Sequence, residues 1–205
     1  MSAVEKWEFV TVEEYLAKEE LSPFKREYRD GVVYAMAGAR NRHNRIAGNG
    51  FAALHSQLRG RPCQPCNSDT KVRIRQLSDT RFYYPDVSVV CHPNPADDSY
   101  QDAPVIILEV ASPSTRRIDL GEKKDGYLTI PTLGVYLVAE SDEAVVQLFR
   151  RSPDGQFQRE LALGLDAVID LPEAGVSLAL ADLYEGVEFP GESGSLRVRE
   201  DDEME

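Results

Sequence analysis

Two carboxylates stand where a carboxylate is expensive. Glu109 interrupts VIILEVA (105–111), an otherwise apolar run that reads as a strand buried on both faces. A charge there costs several kcal/mol unless it is paired or bound to a metal. Asp86 opens a second such strand, DVSVVC, directly after Tyr84-Pro85. Two acids on neighbouring central strands can converge on one divalent cation, and hard oxygen ligands suit Mg2+ or Mn2+. The plainer alternative pairs Glu109 with an arginine at a strand end and leaves Asp86 capping a turn. A third element follows in SPSTRRIDLGEKKDGY, where Asp119, Lys123 and Tyr127 are spaced by four and share one face of a helix. Such a face either carries an exposed ion pair or lets Lys123 reach back over the strand end, where an ammonium stabilises charge on a phosphate.

Other candidates carry weaker patterns. Arg40, Arg42, His43 and Arg45 form the densest basic stretch, a phosphate-contact candidate or a solvated helix start. Arg116 and Arg117, just after the Glu109 strand, are the second basic group. Cys63-x-x-Cys66 with Cys91-His92 has the residue types of a zinc site, but one CxxC supplies half a ligand set, and ordinary thiols are expected. Three cysteines do not make a disulfide framework. Ser112 and Ser114 have no histidine–acid signature around them, and Ser114 reads as a helix cap. LGEKK lacks the spacing of a phosphate-binding glycine loop.

The elements that must position these residues are legible in outline. Thr11 and Glu14 form a capping box opening the helix VEEYLAKEE, and Ser22-Pro23 ends it. EYRDGVVYAM (27–36) reads as a hairpin about Asp30-Gly31. Residues 42–58 are helical, with Ala47, Phe51, Leu54 and Leu58 on one stripe. Residues 60–65 read as a loop. Strands are expected at 70–75, 86–91, 105–111 and 135–139, a helix over 114–128, and a hairpin from 145–150 and 157–163 about Asp154-Gly155. The chain closes with apolar pairs at 168–172 and a helical turn near 180–184. A mixed sheet flanked by helices follows, α/β or α+β, with extra hairpins.

Composition narrows the function. Among 205 residues, 42% are hydrophobic and 28% charged, with 23 Lys plus Arg against 35 Asp plus Glu and a net charge of −12. That is the profile of a globular protein, long enough for one domain over 1–190. Residues 192–205 carry six acids and two arginines, a net of −4, and 191–205 is expected to be a disordered acidic tail. The remaining −8 excludes a protein that coats nucleic acid with a broad basic face, but not a nuclease with a local basic cleft. No apolar run reaches the roughly 18 residues of a membrane span. The N-terminus carries no apolar signal segment, so a cytoplasmic location is expected.

Asp86 in YPDVSVVC, Glu109 in ILEVASPST and the run RRIDLGEKKDGY resemble the Uma-type restriction endonuclease family, part of the PD-(D/E)XK nuclease superfamily. The resemblance extends from about Thr11 to Phe189. It includes Glu27 in EYRDG, His43 after the hairpin, and the closing LPEAGVSLALADLYEGVEF. It implies a restriction-endonuclease-like core with Asp86 and Glu109 as ligands of Mg2+ or Mn2+, the Val110 carbonyl as a further ligand, and Glu27 as the upstream acid. The superfamily's usual lysine two residues after the glutamate is Ala111 here, so the catalytic lysine maps onto Lys123 on the following helix, with Lys124 as the alternative.

The expected activity is metal-dependent hydrolysis of DNA phosphodiester bonds. Arg42, His43, Arg45, Arg116 and Arg117 are the expected nucleic-acid contacts. A homodimer is expected from the apolar strands and edge hairpin of 135–163. The competing reading is a catalytically silent nucleic-acid-binding or assembly protein on the same fold, favoured by the net charge and by Ala111.

Overall fold

A computed structural model describes residues 9–36, 38–76 and 79–190. The proposed tail at 191–205 lies outside them.

The capping box forms as expected. Thr11 accepts the Glu14 N–H at 3.2 Å while Glu14 accepts the Thr11 N–H at 2.9 Å, opening helix α1 (Val12–Glu20). Strands β1 (Arg26–Arg29) and β2 (Val32–Ala35) are the first hairpin. Asp30 and Gly31 both adopt positive φ, 45° and 82°, which a two-residue hairpin turn of this hand requires. Helix α2 (Asn41–Leu58) buries Ile46, Gly50, Leu54 and Leu58 along one face.

Strands β3 (Gln64–Asn67), β4 (Lys71–Arg75), β5 (Thr80–Tyr83), β6 (Val87–Val90), β7 (Tyr100–Gln101) and β8 (Pro104–Ala111) follow. A crossover then runs through α3 (Arg116–Ile118), a π-helical turn (Asp119–Lys123) and α4 (Lys124–Tyr127), and leads into β9 (Val135–Glu140). Strands β10 (Val145–Arg151), β11 (Phe157–Leu163), β12 (Val168–Leu171) and β13 (Val176–Ala179), then α5 (Leu180–Leu183), complete the order.

The strands form a six-stranded sheet, β11-β10-β9-β8-β6-β3, a five-stranded sheet, β2-β1-β5-β4-β7, and the small β12-β13 hairpin. In the larger sheet only β8 and β9 are parallel, because only they are joined by a helical crossover. Alternation along β8 separates two cores. Ile106, Leu108 and Val110 pack with α2, α5 and the β12-β13 hairpin, whereas Ile107 and Ala111 pack with Val72, Ile74 and Tyr83 of the second sheet and with Tyr127 of α4. Helix α1 covers the far face of the second sheet through Tyr15, against Tyr28 and Phe82.

The mixed sheet flanked by helices is present, but the strands divide between two sheets. Several local expectations also change. Part of the expected 60–65 loop is edge strand β3, paired antiparallel with β6. Strand β5 has no counterpart in the reading above. The expected continuous helix over 114–128 is broken at Gly121. Ser114 does not cap it; the Ser112 hydroxyl accepts the Thr115 N–H instead, at 3.3 Å. Cys63 and Cys91, at the facing ends of β3 and β6, are disulfide-bonded and Cys66 is free. The expectation of three ordinary thiols is therefore corrected: pairing of β3 with β6, invisible in the sequence, brings the two cysteines together.

Candidate active site

Register brings the two costly acids together. Strands β6 and β8 are antiparallel with Val87 opposite Leu108, and one step further puts Asp86 opposite Glu109. Opposite residues project from the same face, with Cβ atoms about 5 Å apart. That face is the one beneath the crossover, since Leu108 and Val110 point the other way into the α2 core.

Asp86 lies just beyond the end of β6, where β8 runs on with β9 as its partner on the other side. Its Oδ2 accepts the Val110 N–H at 2.8 Å, and its own N–H donates to Glu109 Oε2 at 3.4 Å. Val110 thus meets Asp86 through its N–H. His43, in the first turn of α2, places Nε2 3.2 Å from the same Asp86 oxygen.

The crossover supplies the other half. Lys123 Nζ stands 3.0 Å from Glu27 Oε1, 3.1 Å from Glu109 Oε1 and 4.0 Å from Asp119 Oδ1. Tyr127 OH donates to Glu109 Oε1 at 3.0 Å. The spacing by four therefore works despite the break at Gly121. Lys124 is directed elsewhere, 3.3 Å from Asp125 and above the ring of Phe149. Glu27 reaches the cluster from β1, on the second sheet, so the site sits where the two sheets and the crossover meet.

Charge in this cluster does not balance. Four carboxylates, Glu27, Asp86, Glu109 and Asp119, surround one ammonium and one imidazole. Burial pushes the Glu109 carboxyl well above the usual range; Lys123 opposes this, while Asp86, Asp119 and Glu27 add to it. Burial also raises Asp119. Burial alone would lower Lys123, but Glu109, Glu27 and Asp119 outweigh it and hold the ammonium charged. His43 behaves alike: burial disfavours its charge and Asp86 prevails, raising it. Among the described residues Glu27 Oε1 is buried with only the Lys123 ion pair and no well-formed hydrogen bond, and His43 Nδ1 is buried without a partner.

These residues fit a hard divalent cation. The donors are carboxylate oxygens, and the uncompensated charge is negative. Among the described residues no three of His, Cys, Asp and Glu form a ready cage. Two carboxylates completed by water are nevertheless the usual way of holding Mg2+, which keeps much of its hydration.

The expected nucleic-acid contacts scatter around this centre. Arg42 pairs with Asp142 at 2.8 Å and Arg116 with Glu140 at 3.0 Å, so both meet the end of β9 beside the site. Arg117 is exposed. The Arg45 guanidinium lies against Gly186, on the α2 side of the sheet. His43 faces Asp86. Glu140 is absent from the expected site residues, although it ends the apolar run VYLVAE much as Glu109 interrupts VIILEVA.

Residues 12–181 match the family model described as "Uma2: Putative restriction endonuclease". Two relatives from Synechocystis are similar in sequence. "Uncharacterized protein slr1290" is 34% identical over 180 residues, covering 86% of this chain and 92% of its own, and "Uncharacterized protein sll1609" is 30% identical over 173 residues, covering 83% and 97%. The fold is similar to that of a crystal structure described as "a putative nuclease belonging to DUF820" from Anabaena variabilis, with a TM-score of 0.66, 18% identity, and coverage of 85% of this chain and 97% of that one.

Proposed function

This chain belongs to the Uma2 family, described as "Putative restriction endonuclease", and on that footing we propose that it is a Mg2+- or Mn2+-dependent endonuclease hydrolysing DNA phosphodiester bonds. The observation that carries the reading is the unbalanced cluster itself. Four acids sharing one ammonium and one imidazole are a poor structural ion cluster, because burying them costs more than the two cations return. They are a suitable cradle for a divalent cation.

Asp86 and Glu109 would hold the cation, with Val110 at their side. When bound, it supplies Lewis-acid stabilisation of charge on the scissile phosphate and acidifies water. The protein's own groups do the rest. Lys123 presents a fixed positive charge to the phosphate and is kept protonated by its three carboxylates. Glu27 anchors that ammonium from the second sheet. Tyr127 orients Glu109 through its hydroxyl, and His43 holds Asp86. With a net charge of −12 there is no long-range attraction of DNA, so binding is local and weak without metal.

The test is cleavage of plasmid and branched DNA beside calorimetry with Mn2+. Wild type is expected to cut only with metal, and Asp86→Ala to lose cutting. Glu109→Gln, which keeps the shape, is expected to weaken Mn2+ by more than about 100-fold, beyond the cost of losing a supporting group. Unchanged Mn2+ affinity in Glu109→Gln would make this glutamate structural and favour the silent binding protein on the same fold.

A further inference from the structure

A second buried acid lies on the same face as Glu109 and has no part in the proposed cleavage. Glu140 is 5% exposed at the end of β9, opposite Ala111 and two residues along the strand from Val138, the residue facing Glu109. Its Oε1 accepts from Gln147 Nε2 at 2.9 Å and faces Arg116 at 3.0 Å. Gln147, also 5% exposed, turns its own oxygen to Arg159 at 2.9 Å. A chain of four polar side chains therefore crosses β9, β10 and β11. Its two middle members are buried, and its ends are exposed arginines.

A carboxylate and an amide are costly to bury. A lock between the crossover and the sheet would need only Arg116 on Glu140. It would not need Gln147 to carry the connection one strand further to an exposed arginine on the sheet edge. The registers give the line of travel: Glu109, Val138, Gln147 and Leu161 stand side by side across four strands. At about 4.8 Å per strand this row spans roughly 14 Å, and Arg159 stands two residues along β11 from Leu161, so it lies roughly 16 Å from Glu109. That is about five base steps of duplex at 3.4 Å each.

We infer that Arg116 and Arg159 are backbone-phosphate contacts for duplex DNA leaving the cleavage centre across β9–β11, and that Glu140 and Gln147 are positioning residues that aim them. The inference rests on the nuclease reading above and extends it to a substrate track. It would give so acidic a chain two fixed phosphate contacts where a broad basic face is absent.

The test is anisotropy of a labelled duplex between 50 and 200 mM salt, with Ca2+ in place of Mg2+, beside plasmid cleavage with Mg2+. Each phosphate contact contributes about 0.9 to the salt slope. Arg116→Ala and Arg159→Ala are each expected to lower the slope by that amount, so affinity falls about 3.5-fold less over this range. Lys18→Ala, on the exposed face of α1, is expected to leave the slope unchanged. Glu140→Gln is expected to weaken duplex binding as Arg116→Ala does, and the double variant to add nothing, because the two act as one unit. Additive losses, with thermal stability falling in Glu140→Gln alone, would make Glu140 a structural lock. Wild type that binds and cuts duplex while Arg159→Ala keeps the full slope overturns the track and leaves the nuclease reading standing. Wild type that neither binds nor cuts overturns both.

Discussion

Lys123 is where the electrostatics of the site concentrate. Its ammonium is the only lysine charge within 4.0 Å of Glu27, Glu109 and Asp119 among the described residues. Replacing it with methionine keeps the bulk and leaves buried carboxylates uncompensated. Breaking a buried ion pair from one side typically costs about 3–5 kcal/mol. Thermal unfolding of Lys123→Met without divalent metal is expected to show a loss of that order, and added Mg2+ to recover part of it, since the cation replaces the missing positive charge. A variant as stable as wild type in EDTA would mean that the carboxylates are already protonated and that Lys123 contributes little. The types and spacing of Asp119, Lys123 and Tyr127 were readable without coordinates. That the three keep one face through the break at Gly121, so that Lys123 and not Lys124 meets Glu109, was decided by the tertiary structure.

Among the elements, α2 and β8 set the precision of the centre. The helix packs so closely on the strand that a Cβ at Gly50 would stand 2.7 Å from Leu108 Cδ2, and Leu108 is fully buried next to Glu109. Gly50→Ala must displace the buried Leu108 side chain or the helix itself, and overpacking of this kind costs about 1–3 kcal/mol. Gly48, two residues earlier, has nothing within 4 Å. Gly48→Ala is expected to stabilise by about 0.5–1 kcal/mol, because alanine is the better helix former. Chemical denaturation of the two variants should therefore give opposite signs, and equal effects would show that helix propensity alone decides at both positions. Both glycines weaken the helical pattern equally in the sequence, and only the approach of β8 separates them.

For the whole molecule, the exposed edge is the open question of assembly. Among the described residues strand β11 pairs on one side only, and Leu161 and Leu163 on it are exposed, as are Leu165 and Val168 just after it. Unpaired edges invite partners. A homodimer joined at β11 would bury these leucines and set two of the proposed cleavage centres about one twofold axis, one for each strand of a duplex. Sedimentation at micromolar concentration is expected to give twice the chain mass of 22.9 kDa. Leu161→Glu with Leu163→Glu should return it to a monomer with its fold intact. A monomeric wild type would leave the edge as solvent-facing strand.

Local chemistry decided a good part of this protein. The capping box, the Asp30-Gly31 turn, the amphipathic stripe of α2 and the nearly continuous apolarity of β8 and β9 depend on contacts between near neighbours, and each is written in residues a few positions apart. The cost of Glu109 in its strand is of the same kind, since burial of a whole apolar run can be read before its neighbours are known. What only the tertiary structure decided depends on pairings between distant strands. The division into two sheets, β5 joining β1, the meeting of Cys63 with Cys91, and Glu27 crossing from the second sheet to Lys123 all follow from register and sheet order. So does the chain from Arg116 to Arg159, whose four members come from four separate segments. No local signal encodes such partners, because a strand specifies which face it buries and leaves the choice of neighbour to the packing of the whole chain.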